Sequence, residues 1–313
     1  MRVYPTIDEL RDAQGDVHLA LGVFDGVHVG HQAVIAQATK AAKLSRQASV
    51  GVLTFDPHPI RVLAPARAPR RILASIGHKA ELVNQLGVDF LCVQEFTVNF
   101  AQQEAEVFIR SIVDACQGRL ASISVGEDWV FGKGRGGNVG KLLEWGEMYQ
   151  FDVHAAAPVR VDGERVSSTR IRQAIRDGSL EAVEQMLGRQ FAVRGTVERG
   201  RQLARQLGYP TANVVAHNEQ LPPDGVWQLE VKIGDTQYHA IGNLGRRPTV
   251  ETEDARRLLE VHVFGFEGDL YDAVVEATFM RYIRAERKFD SVELLKAQIE
   301  ADVADVKMGL GIE

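Results

Sequence analysis

Short unbroken apolar runs alternating with helix-period segments fill the first half of the chain. His18 to Val23, Ser49 to Phe55, Phe90 to Val93 and Ser122 to Val125 read as buried strands, with a shorter strand near Val153. Val34, Ile35, Ala38, Ala41 and Ala42 recur at steps of a helix. His78 to Leu86 forms a second helix stopped at Gly87, Glu104 to Cys116 a third with Val107, Phe108, Ser111, Ile112 and Ala115 along one side, and Gly140 to Tyr149 a fourth. Residues 60 to 75, rich in Arg, Pro and Ala, read as a mobile loop. This alternation predicts a parallel sheet covered by helices, whose ligands sit beyond the carboxyl ends of the strands.

The period changes in the second half. The pattern is helical to Asp177, with Gly178 as a stop, and again from Leu180 to Leu187 with Gly188. Beyond Gln190, alternating or short apolar runs appear at Phe191–Glu198, Val226–Ile233, Tyr238–Leu244, Leu258–Phe264 and Val274–Phe279, with Gly234-Asp235 as a hairpin candidate. These predict an antiparallel all-β unit, a small barrel. A helix from about Ser291, with Leu294, Leu295, Ile299 and Val303 on one face, closes the chain. The expected division is therefore 1–187 and 188–313.

A length of 313 residues suits two domains, each large enough to bury its own core. The formal net charge of −6 gives no electrostatic reason to expect nucleic acid or an anionic membrane as partner. No apolar run approaches the roughly 20 residues of a membrane span, and Met1-Arg2-Val3-Tyr4-Pro5 lacks the apolar core of a signal peptide, so a cytoplasmic protein is expected. Cys92 and Cys116, each inside an apolar pattern, read as buried thiols rather than a disulfide.

The candidate chemistry begins at Leu21-Gly22-Val23-Phe24-Asp25-Gly26-Val27-His28-Val29-Gly30-His31, between the first strand and the first helix. Glycines let the backbone turn sharply and approach a ligand closely. The helix starting near Gly30-His31 offers unpaired amides and its positive dipole end, a natural seat for phosphate, with two imidazoles at that same end. Neither dinucleotide nor P-loop fingerprints match this segment. Zinc is disfavoured because the histidine spacing and the lack of a nearby Cys pair do not build a tetrahedron.

The run Gly22-x-Phe24-Asp25-Gly26-x-His28-x-Gly30-His31 resembles the H-x-G-H signature of the nucleotidyltransferase superfamily. More narrowly, it resembles the FAD synthetase (FMN adenylyltransferase) module of bacterial bifunctional riboflavin kinase/FAD synthetases. Gly126-Glu127-Asp128-Trp129-Val130-Phe131-Gly132, directly after the fourth strand, is similar to that family's G-x-[DN]-[FW]-x-F-G segment, and Lys133-Gly134-Arg135-Gly136-Gly137 continues it as a basic loop. Ser167-Ser168-Thr169-Arg170-Ile171-Arg172 matches its S-S-T-x-I-R. The hydroxyls read as a helix cap, and beside two arginines they also suit an anion. The resemblance implies a Rossmann-like nucleotidyltransferase domain. It implies His28 and His31 as catalytic hydrogen-bond donors, and Gly22, Phe24, Asp25, Gly26, Gly30, Asp128, Ser168, Thr169 and Arg172 as the ATP site. Asp25 either orders the glycine turn or helps hold Mg²⁺.

In the second half, Arg199-Gly200-Arg201 leads to Leu207-Gly208-Tyr209-Pro210-Thr211-Ala212-Asn213, which resembles the G-x-P-T-A-N motif of riboflavin kinases. Ala204 stands where that family often has Gly. Pro210 fixes one backbone angle, and a hydroxyl with a side-chain carbonyl suits Mg²⁺ beside nucleotide phosphates. Gly208, Pro210, Thr211 and Asn213 are thus the expected ATP and Mg²⁺ residues, with Thr211 and Asn213 on the metal. Gly242-Asn243-Leu244-Gly245-Arg246-Arg247-Pro248-Thr249 matches G-x-R-P-T, and Leu259-Glu260-Val261-His262 matches E-x-H. The resemblance makes Glu260 the general base for the riboflavin 5′-hydroxyl, a role that pocket desolvation would favour by raising its pKa. Leu270-Tyr271-Asp272 departs from the usual L-Y-G, and Arg281 to Phe289 resembles the closing R-x-E-x-K-F segment. The whole implies an α/β domain plus a β-barrel. Its two ATP- and Mg²⁺-dependent reactions would take riboflavin to FMN and FMN to FAD, in a monomer or weak homo-oligomer. A single-activity kinase and a flavin-binding regulator without turnover are the rivals. The first would not need His28, His31, Ser168 and Thr169, and the second would have lost Asn213 or Glu260.

Overall fold

A computed structural model describes residues 1–69, 71–199, 208–217, 219–246 and 257–312. Of the sequence motifs, Gly200, Arg201, Ala204, Leu207 and Arg247-Pro248-Thr249 lie outside the described residues. The chain divides into two compact units, Met1–Ile171 with Met186–Gly188, and Arg172–Gln185 with Arg189–Glu313.

The first unit contains β1 (Arg2–Tyr4), β2 (Asp16–Leu21), β3 (Ala48–Asp56), β4 (Phe90–Glu95), β5 (Leu120–Gly126), the two-residue strands β6 (Val130–Phe131) and β7 (Gly137–Asn138), β8 (Asp152–Ala156), β9 (Arg160–Val161) and β10 (Glu164–Arg165). Six of them form one sheet in the order β1-β4-β3-β2-β5-β8, and every neighbouring pair is parallel. The helices are α1 (Val29–Ala42), α2 (Pro59–Leu63), α3 (Ile76–Gln85), α4 (Val98–Ala101), α5 (Ala105–Cys116) and α6 (Val139–Tyr149). Leu19, Leu21, Ile109, Ile112, Ile123 and Leu142 form the core on one face, and Ala20, Ile35, Ala38, Val52 and Val83 that on the other. Each fully buried Leu or Ile contributes roughly 1.5–3 kcal/mol. Both faces being covered explains why these strands read as continuous apolar runs.

Strand order fixes where a ligand can sit. From β2 the chain winds outward through β3 and β4, then returns to place β5 on the other side of β2. The crevice at such a reversal opens beyond the carboxyl ends of β2 and β5, the ends that lead into Gly22–His31 and Gly126–Phe131. The expected loop over residues 60–75 is corrected in its first half. Pro59 starts the short α2, capped by the His58 ring, and a 3-10 turn follows at Pro65–Arg67. Pro is well tolerated in a first helical turn, so its presence there marked a helix start as much as a loop.

Helices α7 (Ser168–Arg176) and α8 (Leu180–Leu187) follow, then β11 (Ala192–Glu198), β12 (Ala212–Ala216), β13 (Gly225–Ile233), β14 (Thr236–Arg246), β15 (Arg257–Val263), β16 (Val274–Arg284) and α9 (Val292–Leu310). The six strands close an antiparallel barrel in the order β11-β12-β15-β14-β13-β16. Gly234, at φ 59°, makes the β13–β14 turn that the Gly-Asp pair predicted. Strand β12 was not foreseen, since polar Asn213 and the short Ala212–Ala216 span give no sustained alternation. Ser291 caps α9 by accepting from the Leu294 amide. Within α9, Val303 and Val306 are buried with Ile299 against them, whereas Leu294 is 55% exposed, so it leaves the apolar face expected of it.

Candidate active sites

The glycine turn of the first unit is held in an unusual backbone. Phe24 and Val27 adopt φ of 49° and 43°, and Gly26 of 84°. A Cβ on Gly26 would lie 2.8 Å from Leu73 Cβ, so glycine is needed there for space as well as for φ. Asp25 is buried, and its Oδ1 accepts from the Leu73 amide at 2.8 Å and the Ala74 amide at 3.4 Å. These bonds order the turn, one of the two roles read for Asp25. His28 caps α1, its Nδ1 accepting from the His31 amide at 3.3 Å. The two imidazoles stack with centroids 3.5 Å apart, and Phe24 meets His31 edge-on at 5.3 Å.

The hydroxyl motif joins this turn. Ser167 is the cap, its Oγ accepting from the Arg170 amide, which leaves Ser168 Oγ to donate to the Asp25 carbonyl at 3.0 Å. Arg170 turns to the β9–β10 hairpin, donating to the Val161 and Glu164 carbonyls and pairing with the Glu164 carboxylate at 3.3 Å. Thr169 is exposed and Arg172 is buried further along α7. A cavity of about 360 Å³ is lined by Gly22, Phe24, His28, Gly30, His31, Asp128 and Ser168. Asp25, Gly26, Thr169 and Arg172 are not in its wall. Asp128 forms a two-pronged ion pair with Arg165, whose hydrogen bonds hold that carboxyl below the ordinary carboxylate range.

A second cavity, about 340 Å³, adjoins the first through Val23, Trp129 and Val130, which line both. Its walls are Phe55, Phe96, Phe100, Phe108 and Phe131, with Arg135 at the rim loop. Trp129 stacks on Phe131 at 4.0 Å, and Phe108 meets Phe131 edge-on at 5.9 Å. Such a space suits a flat aromatic molecule.

In the barrel, Asn213, Glu260 and Asn243 stand opposite one another on β12, β15 and β14. Glu260 alternates with buried Leu259 and Val261, and it is exposed, so the desolvation expected of it is not supplied by the protein alone. Pro210 O accepts a hydrogen bond from His262 Nδ1 at 2.9 Å, which fixes the proton on that nitrogen. A cavity of about 360 Å³ is lined by Thr211, Asn243, Glu260, His262, Glu286 and Phe289, among others. Asn243 Nδ2 donates to Glu286 Oε1 at 2.8 Å, and Arg284 forks onto buried Asp302. Beyond Thr211 lies another cavity, walled by Val197, Pro210, Ala212, Phe266, Asp269 and Tyr271. Thr211 belongs to both. Gly208, at φ 91°, precedes this stretch. A hydroxyl and an amide oxygen two residues apart are hard donors that fit Mg²⁺ when phosphate oxygens complete its shell. No group of three His, Cys, Asp or Glu side chains among the described residues would hold a metal on its own.

Comparison with known proteins matches residues 10–170 to the FAD synthetase family and residues 187–310 to the riboflavin kinase family. A bifunctional riboflavin kinase/FMN adenylyltransferase of Pseudomonas fluorescens is 36% identical over 305 residues, covering 97% of this chain and 96% of the relative. That of Escherichia coli K12 is 35% identical over 295 residues, covering 94% and 93%. The chain belongs to the bifunctional riboflavin kinase/FMN adenylyltransferase family. A crystal structure described as a macrolide-efflux protein from Streptococcus pneumoniae superposes with a TM-score of 0.81 at 31% identity, over 98% of this chain and 99% of that one. No described helix here is long and apolar enough to cross a membrane.

For a riboflavin kinase/FMN adenylyltransferase, the residues that sequence reasoning passed over are informative. Phe55, Phe96 and Phe100 come from separate elements, and each alone reads as core. Arg165 carries no periodic signal. Only the juxtaposition of β3, β4, α4 and α5 reveals the aromatic cavity.

Proposed function

We infer that this chain makes FMN and then FAD. Its barrel unit would transfer the γ-phosphoryl of ATP to riboflavin, and its α/β unit would transfer adenylyl from ATP to FMN, releasing pyrophosphate. The functional division falls near residue 188. The observation that carries the reading is the pair of joined cavities in the α/β unit, one built at a helix N-terminus with two histidines, the other walled by aromatic rings.

In the α/β unit the triphosphate lies at the start of α1, where amides and the helix dipole favour anions. The isoalloxazine enters the aromatic cavity, so the FMN phosphate reaches the α-phosphorus across Val23 and Trp129. An FMN phosphate oxygen forms the new bond to that phosphorus as its bond to the bridging oxygen breaks. Positioning and charge neutralisation carry such a step. His28 and His31 donate to the phosphates as charge builds on the bridging oxygen, and Gly22, Phe24 and Gly30 shape the floor, with Gly26 setting the turn behind it. Asp128 and Ser168 line the nucleotide site, and the hydroxyl motif adds Thr169 and Arg172, which stand on α7 outside the cavity wall.

In the barrel, ATP occupies the cavity walled by Asp269 and Tyr271, with Gly208, Pro210, Thr211 and Asn213 at its phosphates. Thr211 and Asn213 would hold Mg²⁺, which neutralises phosphate charge when bound. Riboflavin fills the neighbouring cavity, and its bound ring would shield Glu260 from water. The carboxylate then takes the 5′-hydroxyl proton as that oxygen attacks the γ-phosphorus. Flavins are substrates and products, the enzyme works in the cytoplasm, and it acts as a monomer or weak homo-oligomer without nucleic acid.

A chromatographic time course with riboflavin, ATP and Mg²⁺ tests this. FMN appears first and FAD follows. FMN that accumulates without FAD, even when FMN is supplied directly, overturns the adenylyl-transfer half.

A further inference from the structure

A cation lies buried beneath the glycine turn of the α/β unit. Lys79, on α3, is 4% exposed. Its Nζ donates to the Val23 carbonyl at 2.8 Å and to Thr54 Oγ1 at 3.0 Å. The Thr54 hydroxyl donates to that same carbonyl at 2.8 Å, which closes a triangle of hydrogen bonds around one peptide oxygen. Lysine is almost never buried this fully unless something compensates its charge. Asp25, from the turn, and Asp56, at the end of β3, are the charged groups facing it, but burial dominates and pushes the ammonium's pKa down to about 8.

The geometry of a peptide converts this contact into a directional one. The Val23–Phe24 bond is trans, so its C=O and N–H lie in one plane and point opposite ways. With the carbonyl turned to Lys79, the Phe24 N–H is turned away from it, and that N–H has no acceptor among the described residues. Val23 and Phe24 both line the cavity of the two histidines. A cation bonded to the carbonyl also polarises the peptide and strengthens its N–H as a donor.

We propose that Lys79 is a positioning residue for adenylyl transfer: with Thr54 it clamps the Val23–Phe24 peptide so that the Phe24 N–H is presented to the nucleotide's phosphates. This rests on the adenylyl-transfer reading of the same cavity. The lysine acts through the peptide and does not touch the substrate.

The test compares full-length wild type with Lys79→Met, measuring kcat and KM for FAD formation from FMN and ATP between about pH 6.5 and 9.5. FMN formation by the same molecules reports the barrel unit, and the circular-dichroism spectrum reports the fold of the α/β unit. The expected result is a kcat for FAD formation lower by about tenfold or more, with KM for FMN within about twofold and FMN formation unchanged. The wild-type rate should fall on an alkaline limb near the lysine's pKa of about 8, and Lys79→Met should lack that limb. A folded Lys79→Met with wild-type kcat and an unchanged limb overturns the proposal. If the variant's α/β unit does not fold, Thr54→Val decides. A loss of about threefold with the limb moved to lower pH supports the clamp, and an unchanged rate and limb overturn it. A wild type that makes FMN but no FAD takes down the adenylyl-transfer reading and this proposal together. Normal FAD formation by both wild type and Lys79→Met takes down the proposal alone.

Discussion

Ser168 Oγ donates to the main-chain carbonyl of Asp25, so a hydroxyl at the start of α7 grips the glycine turn from 143 residues away in sequence. One such bond is worth about 1 kcal/mol, roughly fivefold in a rate. Ser168→Ala should therefore slow FAD formation about fivefold or more and leave FMN formation untouched. Equal loss of both activities would show the effect to be global.

His28 carries two duties that substitutions can separate. As the cap of α1 it should contribute about 0.5–2 kcal/mol, which His28→Ala forfeits and His28→Asn retains, asparagine being a good cap. Neither variant should make FAD. Thermal unfolding gives the first quantity and product analysis the second, and normal FAD synthesis in either variant would sink the catalytic assignment.

Glu260→Gln keeps the shape of the side chain on β15 and removes its basicity. FMN formation should drop by about a hundredfold or more, within the usual contribution of a general base, while FMN supplied from outside is still adenylated. Retained kinase turnover would remove Glu260 from its role.

The aromatic cavity makes a prediction about affinity. Phe100 is only partly buried and rings Phe55, Phe96 and Phe108 at centroid distances of 6.0, 5.6 and 5.8 Å. Phe100→Ala should raise KM for FMN about tenfold in FAD formation, with KM for ATP nearly constant. A change confined to ATP would place the flavin elsewhere.

His18 makes stability depend on pH. It is buried on β2, with Nδ1 on Ser122 Oγ at 2.8 Å and Nε2 on Ser45 Oγ at 3.2 Å. Burial pushes its pKa below 6.5, aided by His154 and opposed by Asp16 and Asp152. The unfolded chain then binds the proton more readily, so stability is fully present above about pH 6.5 and falls as pH drops through that value toward the folded pKa. The melting temperature of wild type should fall more between about pH 7.5 and 5.5 than that of His18→Asn. Equal falls would acquit His18.

How much of this was legible depends on whether a signal was local. The apolar runs of β2, β3, β4 and β5 announced a parallel sheet because both faces are buried, and the glycine and histidine motifs lie in one short stretch. Strand β1 was missed, since its three residues matter only through pairing with β4. Leu294 was misplaced because a helical stripe predicts a face without saying how much of it the barrel covers. Arg170 sat in an anion motif, yet its guanidinium serves the β9–β10 hairpin, a contact that needs the fold. Lys79 carried no signal, because a lysine in an amphipathic helix reads as solvated.

Thr211 forms part of the wall of both barrel cavities. A partition common to two compartments gives their occupants a route to thermodynamic linkage. If a nucleotide on one side shifts that side chain and changes flavin affinity by some factor, flavin must change nucleotide affinity by the same factor. The strength of that mutual coupling then becomes a property of a single threonine's rotamer.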